Sequence, residues 1–201
     1  MSVRARLNRV WFGAIGVAWL CLAAVGLAVL WQYDNAPGEA ARAPGSWPSH
    51  SHLTRATDGP TLVMLAHPQC SCSFASLGEL EELLARTDVH PKTYVVFLKP
   101  ATFGDGWEQT DLWRTANALR NVSVVRDDDG VEARSFGAAT SGQTLLYDRN
   151  GHLQFSGGIT GSRAHQGDNA GRQSLLALLN GGRNARAGTN VYGCPLFTSG
   201  S

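Results

Sequence analysis

The 201-residue chain sets 17 Lys and Arg against 16 Asp and Glu, a net charge of +1, with no run of basic residues. That argues against a nucleic-acid surface, which needs clustered cations. The glycine-rich stretches lack the Lys-Ser/Thr pair of a phosphate loop, and no isolated pair of carboxylates in apolar surroundings suggests acid–base chemistry.

Residues 1–9 hold Arg4, Arg6 and Arg9 and no acid, and residues 10–31 are uninterruptedly apolar. About 22 such residues suffice to cross a hydrocarbon core of roughly 30 Å. All acidic residues follow this stretch, so the basic end is expected to stay in the cytoplasm and the rest to be exported. The run is too long for a signal-peptide core, and Trp31-Gln32-Tyr33 is a poor cleavage site. The expected location is therefore a bacterial inner membrane, single-pass, with a periplasmic domain. Cys21 lies mid-span, and no redox role is expected of it.

Residues 32–59 contain Pro37, Pro44 and Pro48 and no apolar periodicity, which predicts a flexible tether, with His50 and His52 in solvent. Residues 60–182 then alternate strand and helix. Thr61 to Ala66 is a continuous apolar run, as in a strand buried on both faces. Phe74, Leu77, Leu80 and Leu84 recur at helical spacing within 74–86, with Glu79, Glu81 and Glu82 largely opposite. A strand over 92–98, a helix over 110–119, a strand over 122–126 and a short helix over 131–136 follow. Residues 143–148 and 152–156 flank Arg149-Asn150-Gly151 and read as a hairpin. Asp168 or Asn169 can cap a last helix over 171–179. The order βαβαβαββα predicts a mixed α/β sheet covered by helices, parallel in its crossover part and antiparallel at one edge. Trp107 and Trp113 are expected to pack.

The chemistry is expected at His67-Pro68-Gln69-Cys70-Ser71-Cys72-Ser73, between the first strand and its helix. The partial positive charge of a helix N-terminus favours thiolate over thiol. Three cysteines are exported, Cys70, Cys72 and Cys194. An odd number in an oxidising compartment implies a disulfide plus a free thiol, an intermolecular bond or a metal. The tail, residues 183–201, is glycine-rich and carries Cys194, which is expected to swing over the site.

The element order, with cysteines after the first long strand, resembles the thioredoxin-like superfamily over about residues 58–182. The segments HPQCSC, GGITGSRAHQGDNAG (157–171) and YGCPLF (192–197) resemble the RedB-type proteins, membrane-anchored, thioredoxin-like bacterial proteins described as thiol-disulfide isomerase-like. The resemblance implies protein thiols or disulfides as partners and no cofactor. It also shows departures. Thioredoxins use C-x-x-C, whereas Ser73 stands at the resolving position here and the second sulfur is Cys72. Met64 replaces the buried carboxylate and Gln69 the tryptophan beside the nucleophile. Ser141-Gly142-Gln143-Thr144 stands where the family has its cis-proline.

In the exchange reading Cys70 attacks, Cys72 or Cys194 resolves, and His67 stabilises a thiolate or carries its proton. A bond between residues i and i+2 is strained and therefore oxidising. A permanent bond from Cys70 or Cys72 to Cys194 is the purely structural alternative. The second reading is a copper site of the Sco-like chaperone kind, with three or four ligands from His67, Cys70, Cys72 and either His165 or Cys194. Both the C-x-x-x-C spacing and the late-strand histidine of those chaperones are missing. A thiol peroxidase is less favoured: Arg163 could supply its guanidinium, but His67 stands where that chemistry places a threonine.

Overall fold

A computed structural model describes residues 3–39, 42–182 and 185–197. It divides into two units, 1–36 and 37–201. The first is a single helix, α1 (Val3–Asn35). Its stretch Trp11–Asn35, 25 residues, is long and apolar enough to cross a membrane.

In the second unit the elements run β1 (Thr61–Ala66), α2 (Cys72–Arg86), β2 (Lys92–Lys99), α3 (Asp111–Ala118), β3 (Val122–Asp128), α4 (Val131–Ser135), β4 (Gln143–Tyr147), β5 (Leu153–Gly157) and α5 (Ala170–Leu179). The described strands form one sheet in the order β3-β2-β1-β4-β5. β1 pairs parallel with β2 and β2 parallel with β3, while β4 runs antiparallel to both β1 and β5. This is the expected mixed sheet with an antiparallel hairpin at one edge. Its turn is closed by Gly151 N–H to the Asp148 carbonyl at 2.9 Å, with Gly151 at φ 83°.

Every residue of β1 is buried, because β2 and β4 flank it and both faces are covered. Alternate side chains therefore feed two cores. Leu62, Met64 and Ala66 join Leu77, Leu80, Leu83, Phe97, Leu112, Phe155 and Leu175 under the helices. Val63 and Leu65 face the other way, to Val96, Phe136, Leu145, Tyr147, Leu53 and Leu196. On that second face, among the described residues, the five-residue α4 contributes Ala133, and non-periodic chain completes the cover.

Part of that cover is the stretch expected as a flexible tether. Trp47 sits edge-on to Phe136 and Tyr147, with ring centroids 5.1 and 5.3 Å away, and its N–H donates to the Gly151 carbonyl at 2.7 Å. The Tyr147 hydroxyl donates to the Pro44 carbonyl at 3.1 Å, and Leu53 is buried. Isolated apolar anchors without a period explain why these residues read as tether. His50 and His52 are exposed, as expected.

α2 differs from its periodicity in one informative way. Phe74 is exposed, whereas Glu79 is only 2% exposed. α5 packs beside α2, and its Arg172 pairs with Glu79 at 3.0 Å. Glu79 also accepts the Gly167 N–H at 2.6 Å and the Asn169 amide at 3.0 Å. Asn169 caps α5 by accepting the Arg172 N–H at 2.8 Å. A carboxylate on the buried side of α2 thus fixes the loop that enters α5.

Candidate active site

The site forms where β1 ends. The chain turns through His67–Cys70, the Cys70 N–H donating to the His67 carbonyl at 3.1 Å, and α2 starts at Cys72. Ser71 makes no side-chain cap; the Ser73 N–H donates to the Cys70 carbonyl at 3.0 Å and the Phe74 N–H to the Ser71 carbonyl at 3.3 Å, which leaves the Cys72 N–H for another acceptor. That acceptor is the Cys70 sulfur, which takes the Cys72 N–H.

The tail supplies the second sulfur. Cys194 Sγ lies 2.7 Å from Cys70 Sγ, and the Cys194 N–H donates to the same sulfur at 3.4 Å. A disulfide bond is about 2.05 Å long, so the pair stands just outside bonding distance. Cys72 completes a group of three thiols whose sulfurs all lie within 4.8 Å of one another.

Burial pushes the Cys70 thiol up, but the donors around it outweigh burial. The Cys194 thiol and N–H, the Ser73 hydroxyl and the Cys72 N–H bring Cys70 below the usual thiol value. Cys194 moves the other way. Burial, the hydrogen bond it donates to Cys70 and repulsion from the Cys70 charge push it up to about 12. Burial and the Cys70 charge also raise Cys72, with Arg163 opposing them. Of the three sulfurs, Cys70 is therefore the one most favoured as thiolate, and Cys194 the one that holds its proton most firmly.

A short hydroxyl chain explains why Ser73 can donate. Ser141 Oγ accepts the His67 N–H at 2.7 Å and lies 2.7 Å from Ser73 Oγ. Either hydroxyl can donate in that pair; with Ser141 donating to Ser73, the Ser73 proton is directed to Cys70, the side-chain bond that favours its thiolate. In Ser73→Ala the pH midpoint of Cys70 alkylation is expected to rise, because a donor to the thiolate is lost. An unchanged midpoint in a pH series of iodoacetamide rates would remove Ser73 from the site.

His67 is placed differently from its expected role. Its Nδ1 accepts the Gln69 N–H at 3.2 Å, its ring meets Trp107 edge-on at 5.5 Å, and burial lowers its pKa. It is neutral at pH 7, and the cation beside the sulfurs is Arg163. That guanidinium hydrogen-bonds to Cys72 and donates to the Gly193 carbonyl. His165 is exposed, and the thiol group contains Cys194 in its place. Of the candidate copper ligands, the structure groups Cys70, Cys72 and Cys194.

The tail is also more than a mobile arm. The Gly38 N–H donates to the Val191 carbonyl, Ser141 N–H to the Cys194 carbonyl and Leu196 N–H to the Ala139 carbonyl, each at 2.8 Å. Gly193 permits this approach, since a Cβ there would lie 2.0 Å from the Ser141 carbonyl oxygen. Sequence reasoning placed Ser73 at the resolving position and Ser141 at that of the cis-proline, and gave neither a part in tuning the sulfurs. For Ser73 a signal existed, its position three residues after Cys70.

No protein-family model matches this chain, and none of the curated proteins does. Among solved structures it is similar to a conserved protein of uncharacterised function from Geobacillus kaustophilus, at 17% identity and a TM-score of 0.57 over 83% of this chain and 94% of the other. A hypothetical protein from Sinorhizobium meliloti is similar at 16% identity and a TM-score of 0.54, over 83% and 96%. The thioredoxin domain of a thiol-disulfide oxidoreductase from Bacteroides vulgatus aligns at 14% identity and 0.42, over 72% and 99%. The first two are likenesses of fold. A β1–α2–β2 crossover followed by the β4–β5 hairpin and a closing α5 is the thioredoxin-like arrangement, here with a Cys70-x-Cys72 pair at the start of α2.

Proposed function

We propose that this chain is a thiol–disulfide exchange protein, tethered by α1 to the bacterial inner membrane with its domain in the periplasm. Cys70 is the nucleophile and Cys194 the resolving thiol. The observation that carries this reading is the 2.7 Å approach of the two sulfurs, one favoured as thiolate and the other as thiol. The orientation rests on Arg4, Arg6 and Arg9 before the span and the acidic residues after it. The isomerase-like role and the RedB-type kinship rest on the three motif segments.

In the reducing direction the Cys70 thiolate attacks one sulfur of a client disulfide, forming a mixed disulfide and releasing the first client thiolate. Forming that bond removes the Cys70 charge, and with it the repulsion that helps hold the proton on Cys194. The released thiolate takes that proton. Cys194 then attacks Cys70 and releases the second client sulfur. Two electrons have passed from the protein dithiol, now a disulfide, to the client. The reverse sequence oxidises a client.

The second reading is a soft cation such as Cu(I) on Cys70, Cys72 and Cys194, whose three sulfurs are grouped within 4.8 Å. With metal–sulfur bonds of about 2.3 Å, two thiolates on one tetrahedral ion lie about 3.8 Å apart. Exchange is preferred because Cys70 is favoured as thiolate and its neighbour Cys194 as thiol, whereas a metal needs all three as thiolates.

Redox titration of the full chain, with alkylation and disulfide mapping, tests the reading. The expected result is a reversible Cys70–Cys194 pair between roughly −120 and −270 mV, the span of exchange catalysts. A bond resistant below roughly −300 mV would make it a staple.

A further inference from the structure

The tail enters the site in a particular way. Residues 193–197 lie antiparallel to 139–141, bridged at Thr140 and Pro195, with main-chain bonds from Ser141 N–H to the Cys194 carbonyl and from Leu196 N–H to the Ala139 carbonyl. The segment thus adds as a short strand and delivers its cysteine to Cys70. Main-chain pairing gives such docking its affinity, and pockets for alternate side chains give it selectivity.

Three positions around that cysteine are read by shape. The residue before it, Gly193, has no room for a side chain against Ser141, and Arg163 takes its carbonyl. Two residues after it, Leu196 is 4% exposed within the core of the second face. Three residues after it, Phe197 lies beneath the Arg134 guanidinium, 4.4 Å from ring centroid to cation, over the gap left by Gly130. An open cleft of about 530 Å³ continues from Phe197 past Leu98, Pro100, Phe103 and Trp107 to His67. Phe103 is stacked on Trp107 at 4.4 Å yet is 45% exposed.

We infer that residues 193–197 are a built-in substrate mimic, and that clients are extended peptides with the pattern glycine–cysteine–any–aliphatic–aromatic that displace the tail from the 139–141 edge. This rests on the exchange reading and specifies its substrate class and its restraint. While the tail is seated, Cys70 is hydrogen-bonded and covered. When a client strand replaces it, the client sulfur occupies the position of Cys194, with further apolar residues of the client along the Phe103–Trp107 cleft. The returning tail then brings Cys194 to resolve the mixed disulfide.

The test uses the full chain, reduced and in detergent. Its probes are synthetic peptides Tyr-Gly-Cys-Pro-Leu-Phe carrying thionitrobenzoate on the cysteine. Cys70 thiolate attacks the peptide sulfur, a Cys70–peptide disulfide forms, and the coloured thionitrobenzoate leaves with the electron pair. The ordered peptide is expected to react about tenfold faster than the same residues scrambled around the cysteine. Valine in place of the glycine is expected to remove that advantage. Phe197→Ala, which loosens the tail, is expected to speed the ordered peptide further. Equal rates for ordered and scrambled peptides would overturn the mimic, while a normal reaction of Cys70 with Ellman's reagent would leave exchange standing. No reaction with Ellman's reagent would overturn both.

Discussion

In Cys70→Ser, exchange with a peptide disulfide is expected to fall to the uncatalysed rate, with no mixed disulfide trapped. The ground is the distribution of charge among three neighbouring sulfurs. Four donors converge on Cys70, whereas burial and repulsion hold protons on Cys72 and Cys194. A hydroxyl at position 70 would be hydrogen-bonded by the same groups but would not ionise in this range, and neither remaining thiol would gain those donors. Cys72→Ser is expected to keep trapping. Cys194→Ser is expected to accumulate the mixed disulfide, because the resolving sulfur is gone. Mass spectrometry of acid-quenched reactions distinguishes the three variants. Trapping that persists in Cys70→Ser would assign the nucleophile elsewhere.

Glu79→Leu is expected to destabilise the domain by about 3 kcal/mol, the low end for removing a partner from a buried charge, because Arg172 keeps only the more exposed Asp168 at 3.1 Å and Glu82 at 4.0 Å. Arg172 is 6% exposed and its Nε already lacks a partner, so little solvent is at hand to replace the lost carboxylate. The Gly167 N–H and the Asn169 amide lose their acceptor as well. In the double variant Glu79→Leu/Arg172→Met much of the stability is expected to return, since two packed apolar chains avoid the desolvation of both ions. Exchange is expected to stay slow in it, because the loop that positions Arg163 against Cys72 and Gly193 is no longer tied to α2. Urea denaturation reads the first effect and the thionitrobenzoate assay the second. A loss under about 1 kcal/mol in Glu79→Leu would mean a solvent-screened pair.

Much of the fold was legible in the chain because its signals are local. The continuous apolar run at Thr61 to Ala66, the helical spacing of Leu77, Leu80 and Leu84, and the Asn150-Gly151 turn each report on neighbours a few residues away. The edges fell within a residue or two, as at β2, which ends at Lys99, and α5, which starts at Ala170. The same locality accounts for Cys70 at a helix start. It fails for Glu79, whose burial is set by α5, an element about 90 residues later.

The sequence by itself determined the apolar N-terminal helix, the alternation of strands and helices, and the placing of two cysteines where α2 begins. Each is a matter of composition or period over a short window. Only the tertiary structure decided that Cys70 faces Cys194, 124 residues away, and that Arg163 stands over the sulfurs. It likewise decided that 42–53 and the tail complete the second core. Those segments carry no period because isolated anchors, Trp47, Leu53 and Leu196, hold them to a sheet face that the helices leave uncovered. Such an anchor is defined by the cavity it fills, and that cavity exists only once the sheet is assembled.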